Sequence, residues 1–237
     1  MDNEIFIART IGTDWPILFD GKLPEELTTA LAIFNAADAA RPPAVADTID
    51  AKNAQQVIAA AVDAEIRNDK WAEVQARIVG TQARTVTAAA VNATGTLIAA
   101  QEKQFRADVD TFLLAASALP EDITEAGLVR AGSDALRAYE TAIAAQGALK
   151  RYESWLASVP WTQTVRSEIH VLRLIRPTTR SDYAALCNAS ARRDQSKLSA
   201  VYLYAAKNNL DWVMTPPWEA RDIAEALNAA AVPARAL

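Results

Sequence analysis

Residues 44–119 contain no proline and only two glycines, Gly80 and Gly95. An interior proline costs a helix about 3 kcal/mol, so a run of 76 residues without one permits very long helices. Composition turns permission into preference. Alanine supplies 52 of the 237 residues, and alanine is the best helix former because folding takes no side-chain entropy from it. The chain is therefore predicted to be mainly α.

A single helix over that run would be roughly 114 Å long at 1.5 Å per residue, far beyond the usual helix of a globular protein. Apolar residues recur at helical spacing on both sides of Gly80: Val57/Ile58, Val62, Ile66, Trp71, Val74 and Ile78 before it, then Val86, Ala90, Leu97/Ile98, Phe105, Val109 and Phe112/Leu113. Gly80-Thr81 pairs a helix-ending glycine with a capping hydroxyl, so the sequence predicts a break there, with Gly95 as the second candidate. A third periodic run continues through Leu136, Tyr139, Ile143, Gln146/Gly147, Leu149, Tyr152 and Leu156 to Pro160. A break at Gly80 gives three helices of near-equal length, as a long antiparallel bundle or a coiled-coil-like hairpin requires.

The ends read differently. Glu4-Ile5-Phe6-Ile7-Ala8-Arg9-Thr10-Ile11 alternates in polarity, Gly12-Thr13-Asp14 supplies turn residues, and Trp15-Pro16-Ile17-Leu18-Phe19 returns. That pattern predicts a small amino-terminal β-hairpin. Leu23-Pro24-Glu25-Glu26 opens a helix to about Ala40, with proline and carboxylates in its first turn. Glu121-Asp122 starts a run that Gly132-Ser133-Asp134 stops and restarts. Ser181-Asp182, Asp194 and Thr215-Pro216-Pro217 each open a shorter helix. The predicted division is an amino-terminal segment 1–43, a helical bundle 44–159 and a compact carboxyl-terminal part 160–237.

Buried alanine contributes little: about 0.8 kcal/mol per methyl against roughly 1.5–3 kcal/mol for a large aliphatic or aromatic side chain. A bundle of such thin side chains must be long, closely interdigitated or completed by another chain, so self-association or a protein partner is expected.

Charge adds a second clue. The net −5 divides into −8 over residues 1–159, +5 over 160–208 and −2 beyond, a basic segment behind an acidic body. Arg173, Arg176, Arg180, Arg192, Arg193 and Lys197 mark the basic stretch, a surface suited to nucleic acid or to the acidic body itself. Two helices around Arg192-Arg193 loosely resemble a helix-turn-helix, without its turn glycine. Trp212 and Trp218 flank the double proline and are candidate anchors for a protein partner.

Chemistry finds no foothold in the sequence. One cysteine and one histidine exclude an internal disulfide and any Cys/His metal site. No glycine-rich phosphate loop or dinucleotide fingerprint occurs, so no cofactor is expected. His170 has no recognisable nucleophile beside it in sequence, and Cys187 lies in an apolar helical setting that predicts an inert thiol. The acidic amino terminus is unlike a signal peptide, and the nearly uncharged residues 85–101 are too short and too polar to span a bilayer. A cytoplasmic, non-enzymatic assembly or interaction protein is the expectation, with a nucleic-acid-binding regulator as the alternative. The Ala/Arg/Asp-rich, Lys-poor usage is that of a high-GC genome, such as an actinobacterium or one of its viruses, for which a virion or tail component would be one such assembly.

Overall fold

The computed structural model describes residues 3–42, 54–161, 167–191 and 197–229. Over these residues the chain is mainly helical, 81% of it, with one small two-stranded antiparallel sheet. It divides into two compact units, Met1–Ala93 and Thr94–Leu237, which differ from the proline-based division.

The amino-terminal unit opens with α1 (Asn3–Leu18), where the sequence predicted a hairpin. The short alternation of residues 4–11 also fits a helix, and the three-dimensional pattern decides: Ala8, Ile11 and Trp15 fall three and four apart on one face and are fully buried. Gly12 stays inside the helix at a close approach, where an added Cβ would stand 3.3 Å from the Leu31 side chain. Pro16 sits in the last turn, so it removes few helical bonds before the chain turns through Asp20 and Gly21, both at positive φ. Helix α2 (Glu25–Ala39) begins where expected and returns Leu27, Ala30, Leu31 and Phe34 to the core. A two-point ion pair from Arg9 to Asp38, at 3.0 and 2.8 Å, ties the two helices.

Helix α3 (Ala54–Ser117) runs for 64 residues without a break. Gly80 and Gly95 both stay helical, so neither predicted break forms, and the three near-equal helices give way to one very long one. A mid-helix glycine costs only about 1 kcal/mol, and Val79, Ala83, Val86 and Ala90 around Gly80 are buried, so packing overrides the local signal. Within this unit the Gln75 amide donates to the carbonyls of Ala37, Asp38 and Ala40 at 3.0–3.3 Å. It thereby satisfies the carboxyl-terminal carbonyls of α2 that no helical N–H can reach. The Trp71 indole N–H holds Gln75 in place from one turn back, at 3.1 Å.

In the carboxyl-terminal unit, α3 continues to Ser117 and is followed by α4 (Glu125–Ala131) and α5 (Ser133–Ser158). Helix α4 starts three residues after the predicted Glu121-Asp122, because Asp122 instead accepts from Thr124 and Thr124 caps the Gly127 N–H. Gly132, at φ 96°, ends α4 and precedes α5, as the sequence predicted. A 3₁₀ helix (Ser167–Leu172), β1 (Ile175–Arg176), α6 (Arg180–Ala191), α7 (Ala200–Lys207), β2 (Asp211–Trp212) and α8 (Pro217–Ala229) complete the unit. Strands β1 and β2 are antiparallel, Ile175 opposite Trp212. Two further bonds, Val213 N–H to Leu174 and Thr215 N–H to Arg173, prolong the pairing.

This unit does not rest on alanine. Phe112, Tyr202 and Trp212 meet with ring centroids 5.3–5.9 Å apart, and Phe105 stands edge-on to Tyr152 at 5.4 Å. Such pairs contribute about 0.5–1.5 kcal/mol each beyond the area they bury. Aromatic residues far apart in sequence, on α3, α5, α7 and β2, thus supply much of this unit's core.

Candidate functional site

Helix α5 places Gln146, Lys150 and Glu153 at i, i+4 and i+7, so they share one face. Opposite them the 3₁₀ helix brings His170 and Val171, α6 brings Ala189 and Ser190, and the chain entering α7 brings residues 197–202. Together with Lys150 and Glu153 they line a cavity of about 290 Å³.

Its wall is held by hydrogen bonds at named atoms. Gln146, 4% exposed, donates from Nε2 to the Lys197 carbonyl at 3.0 Å and accepts the Ser199 N–H on Oε1 at 2.5 Å. One buried amide therefore fixes the loop that enters α7. The Ser199 hydroxyl then caps that helix by accepting the Tyr202 N–H at 3.4 Å. The Tyr202 hydroxyl donates to Glu153 Oε2 at 2.8 Å. Burial first, and the Glu153 charge second, push this phenol well above the usual tyrosine range. Burial also pulls the Arg173 guanidinium down, against the opposing pull of Glu153. Across the cavity His170 Nε2 and Ser190 Oγ are hydrogen-bonded at 2.5 Å.

The candidate residues of the basic segment are scattered in role. Half-buried Arg173 lies in the field of Glu153, and Arg176 pairs with Glu219 at 3.8 Å. Arg180 opens α6 and is exposed; Lys197 is exposed at the cavity. Arg192 and Arg193 lie outside the described residues. Trp212 is 3% exposed and belongs to the aromatic core, a correction to its reading as a surface anchor: pairing in β2 turns the ring inward against Phe112 and Tyr202. Trp218 is half-buried, its ring 6.0 Å from Trp161; Arg221 lies over Trp161 at 5.4 Å. Cys187 is half-buried on α6 and in no disulfide.

Sequence reasoning singled out His170 but not Ser190, Lys150, Glu153 or Gln146. Ser190 lies twenty residues from His170, and only the fold brings them together. Gln146 did leave a signal, a polar residue in an otherwise apolar helical row, the pattern of a buried group with fixed partners.

Among the described residues no group of three or more His, Cys, Asp or Glu is placed to hold a metal ion, and no helix is long and apolar enough to cross a membrane. No protein-family model, curated protein or solved structure matches the chain.

Proposed function

We propose that the protein is a non-enzymatic assembly component that associates with further copies of itself through the amino-terminal half of α3. The observation that carries this reading is a ridge of large aliphatic side chains, Ile58, Val62, Ile66, Val74 and Ile78, each 40–62% exposed. They stand four residues apart, with Lys70 in the one gap; each step turns about 40° around the helix, so Ile58, Val62 and Ile66 form one short ridge of the kind that interdigitates when helices pack, and Val74 and Ile78 lie further round. Single exposed aliphatics are ordinary, but an aligned series on one helix marks an interaction surface.

Covering what remains exposed gives on the order of 1 kcal/mol per side chain. That sum is modest once the entropy of association is subtracted. Repeated contacts in an assembly of many copies strengthen such an interface without new chemistry. A structural part of a larger particle, such as a virion or tail, is an assembly of this kind. The basic segment gives less support to the nucleic-acid alternative, since Arg173 and Arg176 face carboxylates of their own chain. The test is the oligomeric state of the full chain against Ile58→Glu/Ile66→Glu, in which two carboxylates are placed on the ridge.

A further inference from the structure

We propose that the cavity between α5, the 3₁₀ helix, α6 and the start of α7 binds a small phosphorylated molecule. It is independent of the ridge on α3. The cavity's charge makes the choice of ligand. Lys150 and Lys197 both line it and are exposed, and no ion pair is assigned to either among the described residues. Among the described residues the wall holds one carboxylate, Glu153: it accepts from the Tyr202 hydroxyl at 2.8 Å, and Arg173 lies in its field. Three cations, Lys150, Lys197 and Arg173, against this one carboxylate leave two positive charges for a ligand. A phosphate monoester dianion matches that balance, whereas a carboxylate leaves one cation uncompensated.

Size agrees with the charge. His170 and Ser190 at the wall are hydrogen-bonded to each other, so the two ammonium groups are the donors that meet the ligand. A volume of about 290 Å³ far exceeds the roughly 30 Å³ of one water. It stands at the lower edge of ligand pockets, about 300–1,000 Å³, so the occupant is a phosphate carrying a small organic group. The site is also pre-formed, because Gln146 fixes both Lys197 and Ser199 by their backbone atoms, and a wall ordered before binding costs the ligand less.

The experiment is calorimetric titration of the full chain with inorganic phosphate, then phenyl phosphate, then acetate, at constant ionic strength set with chloride. Saturable binding of phosphate is expected, tighter binding of phenyl phosphate, and acetate weaker than phosphate by about tenfold or more. Lys150→Ala and Lys197→Ala should each weaken phosphate by about tenfold, since a hydrogen bond to a charged group accounts for that factor. Both side chains are exposed, and circular dichroism with unchanged unfolding midpoints would establish that the variants stay folded. No saturable phosphate binding, acetate binding as tightly as phosphate, or full binding in the folded Lys150→Ala/Lys197→Ala double variant would each overturn the assignment.

Discussion

Replacing Gln146 with alanine removes one side chain and leaves two backbone groups without partners. The Lys197 carbonyl loses its donor and the Ser199 N–H loses its acceptor. A buried polar group left unpaired costs about 1–3 kcal/mol. Here Lys197 is exposed and Ser199 half-buried, so water reaches part of the gap and the lower values apply. A total of about 2 kcal/mol follows, which in a domain of this size lowers the melting temperature by roughly 4–8 °C. The variant Gln146→Glu sharpens the test. It keeps an acceptor for Ser199 but sets a second carboxylate oxygen against the Lys197 carbonyl, so it should fail to rescue. The assay is urea and thermal unfolding followed by the near-ultraviolet signal of the buried tryptophans Trp155 and Trp212, with Gln55→Ala on the exposed part of α3 as control. If Gln146→Ala is no more destabilising than Gln55→Ala, the amide does not hold the loop as described.

The remaining predictions use other parts of the structure. Burial, with Asp108 for Tyr152 and Glu153 for Tyr202, raises both phenols. Unfolded tyrosines lose their protons near pH 10, so above that pH the unfolded state binds fewer protons than the folded one, and stability falls. Absorbance titration should show these two tyrosines ionising only as the unit unfolds; a single smooth titration near pH 10 in folded protein would contradict this. In α4, a Cβ on Gly127 would run into the Asp122 carbonyl oxygen, so Gly127→Ala should destabilise by about 1–3 kcal/mol through overpacking, despite its better helix propensity. Urea midpoints decide it, and a stabilised variant would refute the close approach.

Helical class was legible in the sequence because it follows from local propensity and the absence of proline, and the turn at Gly132 was legible because one residue type performs it. The breaks at Gly80 and Gly95 were misread because a cost of about 1 kcal/mol is small beside the burial of Val79, Ala83 and Val86. The amino-terminal hairpin was misread because eight alternating residues fit two periods, and only the buried set Ala8, Ile11 and Trp15 separates them. The cavity was illegible for another reason. Its members lie between Lys150 and Tyr202 on separate elements, and no spacing rule joins a lysine on α5 to a serine on α6. The basic segment, visible as a charge count, is dispersed among its described residues: Arg173 lies in the field of Glu153 and Arg176 pairs with Glu219, while Arg180 and Lys197 are exposed.

Sedimentation equilibrium of the full chain from roughly 1 to 100 μM, the range in which modest protein interfaces form, tests assembly through α3 most directly. The mass should rise with concentration above the 25.6 kDa of one chain, and Ile58→Glu/Ile66→Glu should stay a folded monomer at every concentration. A wild-type chain that stays monomeric throughout, or a variant that associates as the wild type does, would contradict it.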